Sequence, residues 1–224
     1  MNKLNHVAFI MDGNGRWGKI RKKSRNFGHL NGVKTVKKIV EASIRLKIPF
    51  ITFYVFSTEN WKRPKLEIKY LFSLITSYFN NELNNIIKND IKINILGNIN
   101  ILPKNLKNIL NNTIKKTKKN KSINVNLAIN YGSRNEIITS FKKIASKIKI
   151  TENKFKNNLY TKNIPDPEIL IRTGGKKRLS NFLLWQLAYT EIYFLDKLWP
   201  DFTQQDLNKI VKNFNKIKRN FGGI

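Results

Sequence analysis

His6-Val7-Ala8-Phe9-Ile10-Met11-Asp12-Gly13-Asn14-Gly15-Arg16-Trp17-Gly18 is the stretch on which the reading of this chain turns. Six mostly apolar residues run straight into a turn of acid, glycine and amide, the pattern of a short buried strand closed by a loop. The unit recurs downstream. Phe50–Phe56 is a β-branched and aromatic strand, Ile91–Leu96 ends at Gly97, and Ile123–Ile129 is another. Ile169–Arg172 precedes Thr173-Gly174-Gly175, and a further strand is expected near Ile192–Phe194. Between these runs the apolar spacing turns helical: Leu30, Val33, Val36, Val40 and Ile44, the broad stripe of Leu66–Ile87, the run after Pro103, Gly132–Ile148 and Gln204–Ile217. Regular βα alternation without a repeat or linker predicts one α/β domain over residues 1–224, a central, mainly parallel sheet surrounded by helices. Such sheets carry their sites beyond the carboxyl ends of the strands.

Composition narrows the function classes. The 224 residues hold 43 Lys+Arg against 14 Asp+Glu, a formal net charge of +29. Taken alone, that points to nucleic acid. Lys, Asn and Ile, all encoded by A/T-rich codons, number 34, 32 and 31, however, while only 9 of the basic residues are Arg. Most of the charge therefore reads as lysine drift on solvated faces, including the dense run Lys115-Lys116-Thr117-Lys118-Lys119-Asn120-Lys121. No nucleic-acid partner is expected. The chain has no Cys and two His, which excludes disulfides, thiol nucleophiles and multi-His metal sites. No secretory pattern opens it, and neither Ile48–Ser57 nor Phe182–Leu195 has the roughly 20 apolar residues of a membrane span. A cytoplasmic protein is expected, with a basic surface suited to peripheral contact with anionic lipid.

The strand ends gather phosphate chemistry. After the first strand, the glycines spell G-x-G-x-x-G. Against a dinucleotide fingerprint stand the acid before the turn, bulky Arg16 and Trp17 where a helix should begin, and Glu41 inside a helix instead of at a strand end. Asp12 is a hard oxygen ligand suited to Mg²⁺ alongside substrate phosphates. Gly13 and Gly15 let backbone amides approach phosphate, and Arg16 offers a two-pronged donor. Arg25, Gly28 and His29 follow. By itself, Asp-Gly-Asn-Gly is also an ordinary turn. The second strand ends in Phe56-Ser57-Thr58-Glu59-Asn60-Trp61-Lys62-Arg63-Pro64, where Ser57 or Thr58 equally suits an N-cap for a helix starting near Pro64. Arg172-Thr173-Gly174-Gly175-Lys176-Lys177-Arg178-Leu179-Ser180-Asn181 sets two arginines and a serine around a glycine turn, with a flexible basic loop as the plainer reading. Glu191 sits in an apolar run and needs a partner, a metal or an arginine. Six of the nine arginines (Arg16, Arg25, Arg63, Arg134, Arg172, Arg178) fall in these segments. In a lysine-rich chain that is informative, because Lys cannot replace the bidentate guanidinium fork at a phosphate.

Together these segments resemble the cis-prenyltransferase family, and within it the bacterial undecaprenyl diphosphate synthases. The resemblance rests on His6 to Trp17, Arg25-Asn26-Phe27-Gly28-His29, Phe56 to Pro64 and Asn130-Tyr131-Gly132-Ser133-Arg134. Ile171 to Gly175, Ser180 to Gln186, Glu191-Ile192-Tyr193-Phe194 and Trp199-Pro200-Asp201-Phe202 extend it over nearly the whole chain. It implies a parallel sheet wrapped by helices around a hydrophobic tunnel, usually as a homodimer. It further implies Mg²⁺-dependent condensation of isopentenyl diphosphate onto an allylic diphosphate, typically farnesyl diphosphate, giving a long-chain polyprenyl diphosphate, a lipid-carrier precursor.

Carried over residue by residue, the resemblance makes Asp12 the catalytic, Mg²⁺-associated carboxylate, with Glu191 as its metal partner. Gly13, Asn14, Gly15, Arg16, Arg25 and His29 then hold the allylic diphosphate. Trp17, Ser57, Thr58, Glu59, Trp61 and Arg63 complete the pocket. Arg172, Arg178, Leu179 and Ser180 hold isopentenyl diphosphate. Asn60 stands where the family assigns proton removal; an amide is a poor base, and orienting the substrate while released diphosphate takes the proton is the better chemistry. One departure stands out: Lys176 and Lys177 follow the two glycines where the family usually has an acid. Arg219-Asn220-Phe221-Gly222-Gly223 resembles the family's tail, which approaches the partner's site. A nucleic-acid binder would instead show affinity falling steeply with salt.

Overall fold

The structure, a computed structural model, describes residues 2–145 and 149–220. In chain order it comprises β1 (His6–Ile10), α1 (Asn14–Ile20), α2 (Arg25–Arg45), β2 (Phe50–Ser57) and α3 (Lys65–Lys88). Next come β3 (Ile91–Leu96), α4 (Lys104–Thr117), β4 (Ile123–Tyr131), α5 (Ser133–Ile144) and α6 (Glu152–Lys156). β5 (Ile169–Arg172), β6 (Glu191–Phe194) and α7 (Gln204–Phe214) complete the order. The six strands form one sheet in the order β3-β4-β2-β1-β5-β6, and every pairing is parallel.

The chain leaves β1 toward β2 on one side and returns to pair β5 with β1 on the other. A crevice opens at such a reversal, beyond the strands' carboxyl ends. There Ile10 pairs with Arg172, placing the Asp12 turn beside the end of β5. β1 is buried along its whole length because both faces of the sheet are covered. Val7 and Phe9 point into the larger core, with Ile39 of α2, Phe72 and Phe79 of α3, Leu106 and Leu110 of α4, and Leu207, Ile210 and Phe214 of α7. Ala8 and Ile10 point the other way, toward Leu170, Phe182 and Leu183. The alternation is the period-two signature of a strand, read by two different cores.

One polar line crosses the sheet. His6 Nε2 meets Thr52 Oγ1 at 2.6 Å, Asn126 Nδ2 donates to the same oxygen at 3.1 Å, and Asn94 Nδ2 donates to Asn126 Oδ1 at 3.0 Å. The His6 ring is completed by the Pro165 carbonyl at 2.6 Å, so this buried histidine is a satisfied core residue.

Two expectations need correcting, and one element was not foreseen. A helix does begin at the glycine turn: α1 includes Arg16 and Trp17. Their bulk is no obstacle, because Gly15 and Gly18 are its buried positions. A Cβ on Gly28 would come within 1.8 Å of the Asn14 carbonyl oxygen, so α1 and α2 touch backbone to backbone. Ser57 does not open α3; it precedes a 3₁₀ turn over Thr58–Lys62, and α3 starts only after Pro64. The α6 turn had no periodic signal at five residues. The end of the helix expected over Gly132–Ile148 lies outside the described residues, as do the last glycines of the tail.

Candidate active site

Beyond the carboxyl ends of β1, β2 and β5 lies a cavity of about 360 Å³. Asp12, Gly13, Asn14, Gly15, Arg16, Arg25, His29, Ser57, Asn60, Arg63, Arg172, Arg178 and Ser180 line it, with Ile10, Met11, Tyr54, Val55 and Leu71. Five arginines and a single carboxylate thus face one space, and none of the described lysines lines it. The cavity's charge belongs to arginine, although arginine is the rare cation of this chain.

Asp12 is the first hub. Its backbone carbonyl accepts from Thr173 Oγ1 at 2.8 Å and from the Trp199 amide at 3.0 Å, which fixes the main chain. Its side chain is 29% exposed, and it accepts from Arg172 Nη2 at 2.9 Å and Arg16 Nη2 at 3.3 Å. Arg16 Nη2 also donates to the Gly174 carbonyl at 2.6 Å. Arg172 is almost fully buried, donating through Nη1 to Ser180 Oγ at 2.7 Å and to the Arg178 carbonyl. Gly174, at φ 88°, makes the turn: a Cβ there would strike Arg16 Nη2 at 2.6 Å. Arg16, which the resemblance groups with the allylic site, therefore stands with Arg172 in this structure.

Glu67 is the second hub, and the sequence reading missed it. It lies in the first turn of α3, side chain 10% exposed, behind the cavity wall. Arg25 grips it two-pronged, Nε to Oε2 at 3.1 Å and Nη2 to Oε1 at 3.2 Å. Arg63 Nη1 and His29 Nε2 each reach Oε1 at 3.3 Å. Gly15 makes room for the fork, since a Cβ there would lie 2.7 Å from Arg25 Cζ. Desolvation opposes the charge on Glu67, but the hydrogen bond and charge of Arg25, with Arg63 and His29, hold it below the usual carboxylate range. Burial pushes His29 below its ordinary value, so its ring is neutral near pH 7. An ionised carboxylate only accepts, which places the ring proton on Nε2. The i,i+4 spacing of Arg63 and Glu67 is the one sequence signal that could have flagged this group.

Other expected residues are engaged by partners within the protein. Trp17 is not among the cavity's lining; it donates to Asp201 Oδ1 at 2.7 Å, stacks with the Phe27 ring and carries the Arg21 guanidinium over its own ring. Trp61 donates to Asn130 Oδ1 at 2.8 Å and packs edge-on against Phe56 and Phe72. Glu59 accepts from Asn181 Nδ2 at 2.7 Å; although burial opposes its charge, that bond and those of Ser57 and Thr58 keep it ionised. Thr58 lies against Gly132, and Leu179 packs on the smaller core. Asn60 Oδ1 accepts from its own turn's Ser57 amide at 3.2 Å.

Glu191 is not brought to Asp12. It opens β6 level with Ile169 and Val7, roughly 10 Å or more short of the strand ends at about 3.3 Å per residue. Its carboxylate lies 3.7 Å from Arg219 Nε, the arginine partner of the two that its apolar setting suggested. Among the described residues no group of three or more His, Cys, Asp or Glu could hold a metal ion.

The cavity continues into an apolar compartment of about 120 Å³ between α2, α3 and the sheet, lined by Val33, Val36, Phe56, Leu74, Ile75, Tyr78, Phe79 and Ile129. Met11, Asn14, His29, Val55 and Leu71 line both spaces. A polar mouth for anions thus opens onto a greasy interior.

The chain is similar to known proteins along nearly its whole length. The family described as putative undecaprenyl diphosphate synthase matches residues 10–222. The chain belongs to that family. An isoprenyl transferase of Fusobacterium nucleatum is 44% identical over 98% of this chain and 96% of its own. A ditrans,polycis-undecaprenyl-diphosphate synthase, (2E,6E)-farnesyl-diphosphate specific, of Micrococcus luteus is 43% identical over 98% of this chain and 91% of its own. Lavandulyl diphosphate synthase from Lavandula x intermedia, solved with dimethylallyl diphosphate, superposes with a TM-score of 0.94 at 33% identity, covering 98% of both chains. A probable undecaprenyl diphosphate synthase from Campylobacter jejuni gives 0.85 at 36% identity over the full length of both. As a member of a prenyltransferase family, the chain displays two arginine groups on separate elements around one cavity. No helix among the described residues is long and apolar enough to cross a membrane.

Proposed function

We propose that this chain catalyses cis-prenyl chain elongation, condensing isopentenyl diphosphate onto an allylic diphosphate, with farnesyl diphosphate as primer, to make a long-chain polyprenyl diphosphate. The observation that carries it is the pairing of two arginine groups, each gathered on a carboxylate, with an apolar compartment opening from the same cavity. Two diphosphates account for the two groups, and a prenyl tail accounts for the compartment.

The residues fit a Mg²⁺ ion. Asp12 is the one carboxylate lining the cavity, is partly open, and is a hard oxygen donor. Mg²⁺ takes one or two carboxylates plus phosphate oxygens in such sites, so a single acid suffices beside a diphosphate. When bound, the ion neutralises charge on the departing diphosphate.

The chain's own residues supply the rest. Arg25 and Arg63 bind and orient the allylic diphosphate, and their cations stabilise charge developing as its carbon–oxygen bond breaks; neutral His29, its Nε2–H donated to Glu67, lines the site beside them. Arg172, Arg178 and Ser180 hold isopentenyl diphosphate, so its double bond meets the allylic carbon in fixed orientation. The new carbon–carbon bond forms, a proton leaves the isopentenyl unit, and released diphosphate takes it. Asn60, its carbonyl engaged by Ser57, orients the substrate and is not the base. The compartment excludes water from the cationic carbon, and a homodimer is expected as the assembly.

The test is incubation with farnesyl diphosphate, labelled isopentenyl diphosphate and Mg²⁺, followed by chromatography. Products longer than the primer are expected. Absence of extension with farnesyl and with shorter primers overturns the proposal.

A further inference from the structure

We propose that Glu67 is a positioning residue that aims Arg25 and Arg63 at the allylic diphosphate and so sets the affinity for that substrate alone. The inference rests on the two-diphosphate reading above. Glu67 does not line the cavity, yet all three of its partners do. A guanidinium has two hydrogen-bonding edges in its plane. Glu67 takes the Nε/Nη2 edge of Arg25 and leaves the edge that includes Nη1 for a phosphate. It takes one nitrogen of Arg63 and fixes the proton-bearing side of His29. Nothing equivalent ties Glu67 to Arg172, Arg178 or Ser180, which are gathered at the other hub.

The charge argument makes the role testable by sign. A buried anion behind a cationic wall lowers that wall's attraction for diphosphate, since it reduces the group of Arg25, Arg63 and neutral His29 by one unit of charge. If Glu67 acted by charge alone, removing it would tighten binding. If it acts by aiming the forks, removing it weakens binding despite the gain in positive potential.

The full chain and its variants E67Q and E67D are compared. E67Q keeps the size and removes the charge; E67D keeps the charge and withdraws it by one methylene. Kd for a non-ionisable allylic thiodiphosphate is measured by calorimetry, KM for both substrates and kcat by initial rates, and folding by melting temperature. In both variants the allylic Kd and KM are expected to rise about tenfold or more, the loss of charge-assisted hydrogen bonds, while KM for isopentenyl diphosphate stays within about twofold. An unchanged or tighter allylic Kd in E67Q overturns the role. So does a parallel rise of both KM values, the mark of a merely structural residue. If E67Q does not fold, E67D decides by the same criteria. A wild-type chain that binds the analogue but extends no primer overturns the proposed reaction, and the Kd series still decides the role of Glu67.

Discussion

Asp12 and Glu67 are both carboxylates that gather arginines at one cavity, yet they are built in opposite ways. The Asp12 side chain is 29% exposed, lines the cavity and holds Arg172 and Arg16 at different distances. The Glu67 side chain is 10% exposed, lies behind the wall and spends both oxygens on three partners. An open carboxylate with a pinned main chain can exchange an arginine for a metal ion and a phosphate. A sealed one cannot, because freeing a buried charge from its partners is costly. On the proposed reading, catalysis of diphosphate departure is therefore assigned to Asp12, and preorganisation of the allylic site to Glu67.

The strongest way to break this division is Asp12→Asn. It keeps the shape and removes the charge that a metal needs. We expect kcat to fall on the order of 10³-fold, with the allylic Kd nearly unchanged, and removal of Mg²⁺ by a chelator to do the same to the wild type. Turnover within tenfold of wild type, measured at saturating Mg²⁺, would mean that Asp12 is no more than a scaffold.

Acid bears on the comparison next, because the Glu67 hub contains a histidine and the Asp12 hub does not. Burial holds His29 below its ordinary value and pushes His6 down to about 4, against the Pro165 hydrogen bond that raises it. Both folded-state values lie below the unfolded value near 6.5, so the unfolded chain binds more protons on acidification. Stability is complete above that value and declines as pH falls toward 4. His6 alone accounts for up to about 3 kcal/mol of the loss. Urea midpoints between pH 7 and 4 test this: a flat profile contradicts the burial argument, and His6→Asn is expected to remove much of the slope.

The Arg→Lys pair sharpens the comparison further. Arg25→Lys is expected to raise the allylic KM, and Arg172→Lys the isopentenyl KM, each about tenfold, because an ammonium cannot bond two-pronged. If each variant affects both substrates equally, the two hubs do not serve separate sites. The smallest effect concerns the shared compartment. Each added isoprene unit would bury five carbons, up to about 4 kcal/mol at roughly 0.8 kcal/mol per CH₂, so slow product release is expected. Detergent or lipid is expected to speed steady-state turnover a few-fold while leaving the single-turnover rate alone. Equal single-turnover and steady-state rates, indifferent to detergent, would remove this step from the cycle.

Much of this was legible in residue order. The strand at His6 was visible because its core-facing residues are continuous, and Leu66–Ile87 because its stripe has helical period; the observed α3, Lys65–Lys88, differs by a residue at each end. Of the six arginines that their scarcity picked out, five line the cavity and Arg134 does not. What stayed hidden shares one cause: it depends on partners distant in sequence. Glu67 reads as one more helix acid until Arg25, 42 residues away, is seen gripping it. Where Trp17 and Trp61 direct their indoles is hidden until Asp201 and Asn130 are seen to hold them. The α1 helix is hidden in the sequence because Arg16 and Trp17 are bulky, whereas the packing constraint acts on Gly18 and Gly28.

Residue order by itself therefore determined the α/β class, the parallel sheet, the strand-end turns and the arginines among the site's cations. Those properties follow from periodicity, turn chemistry and donor geometry, which are local. Tertiary structure alone decided which carboxylate is open and which is sealed, and that Glu191 faces Arg219 instead of Asp12. Exposure and charge pairing are properties of the packed surface, and these particular pairs are set by strand register and helix contact, not by spacing along the chain.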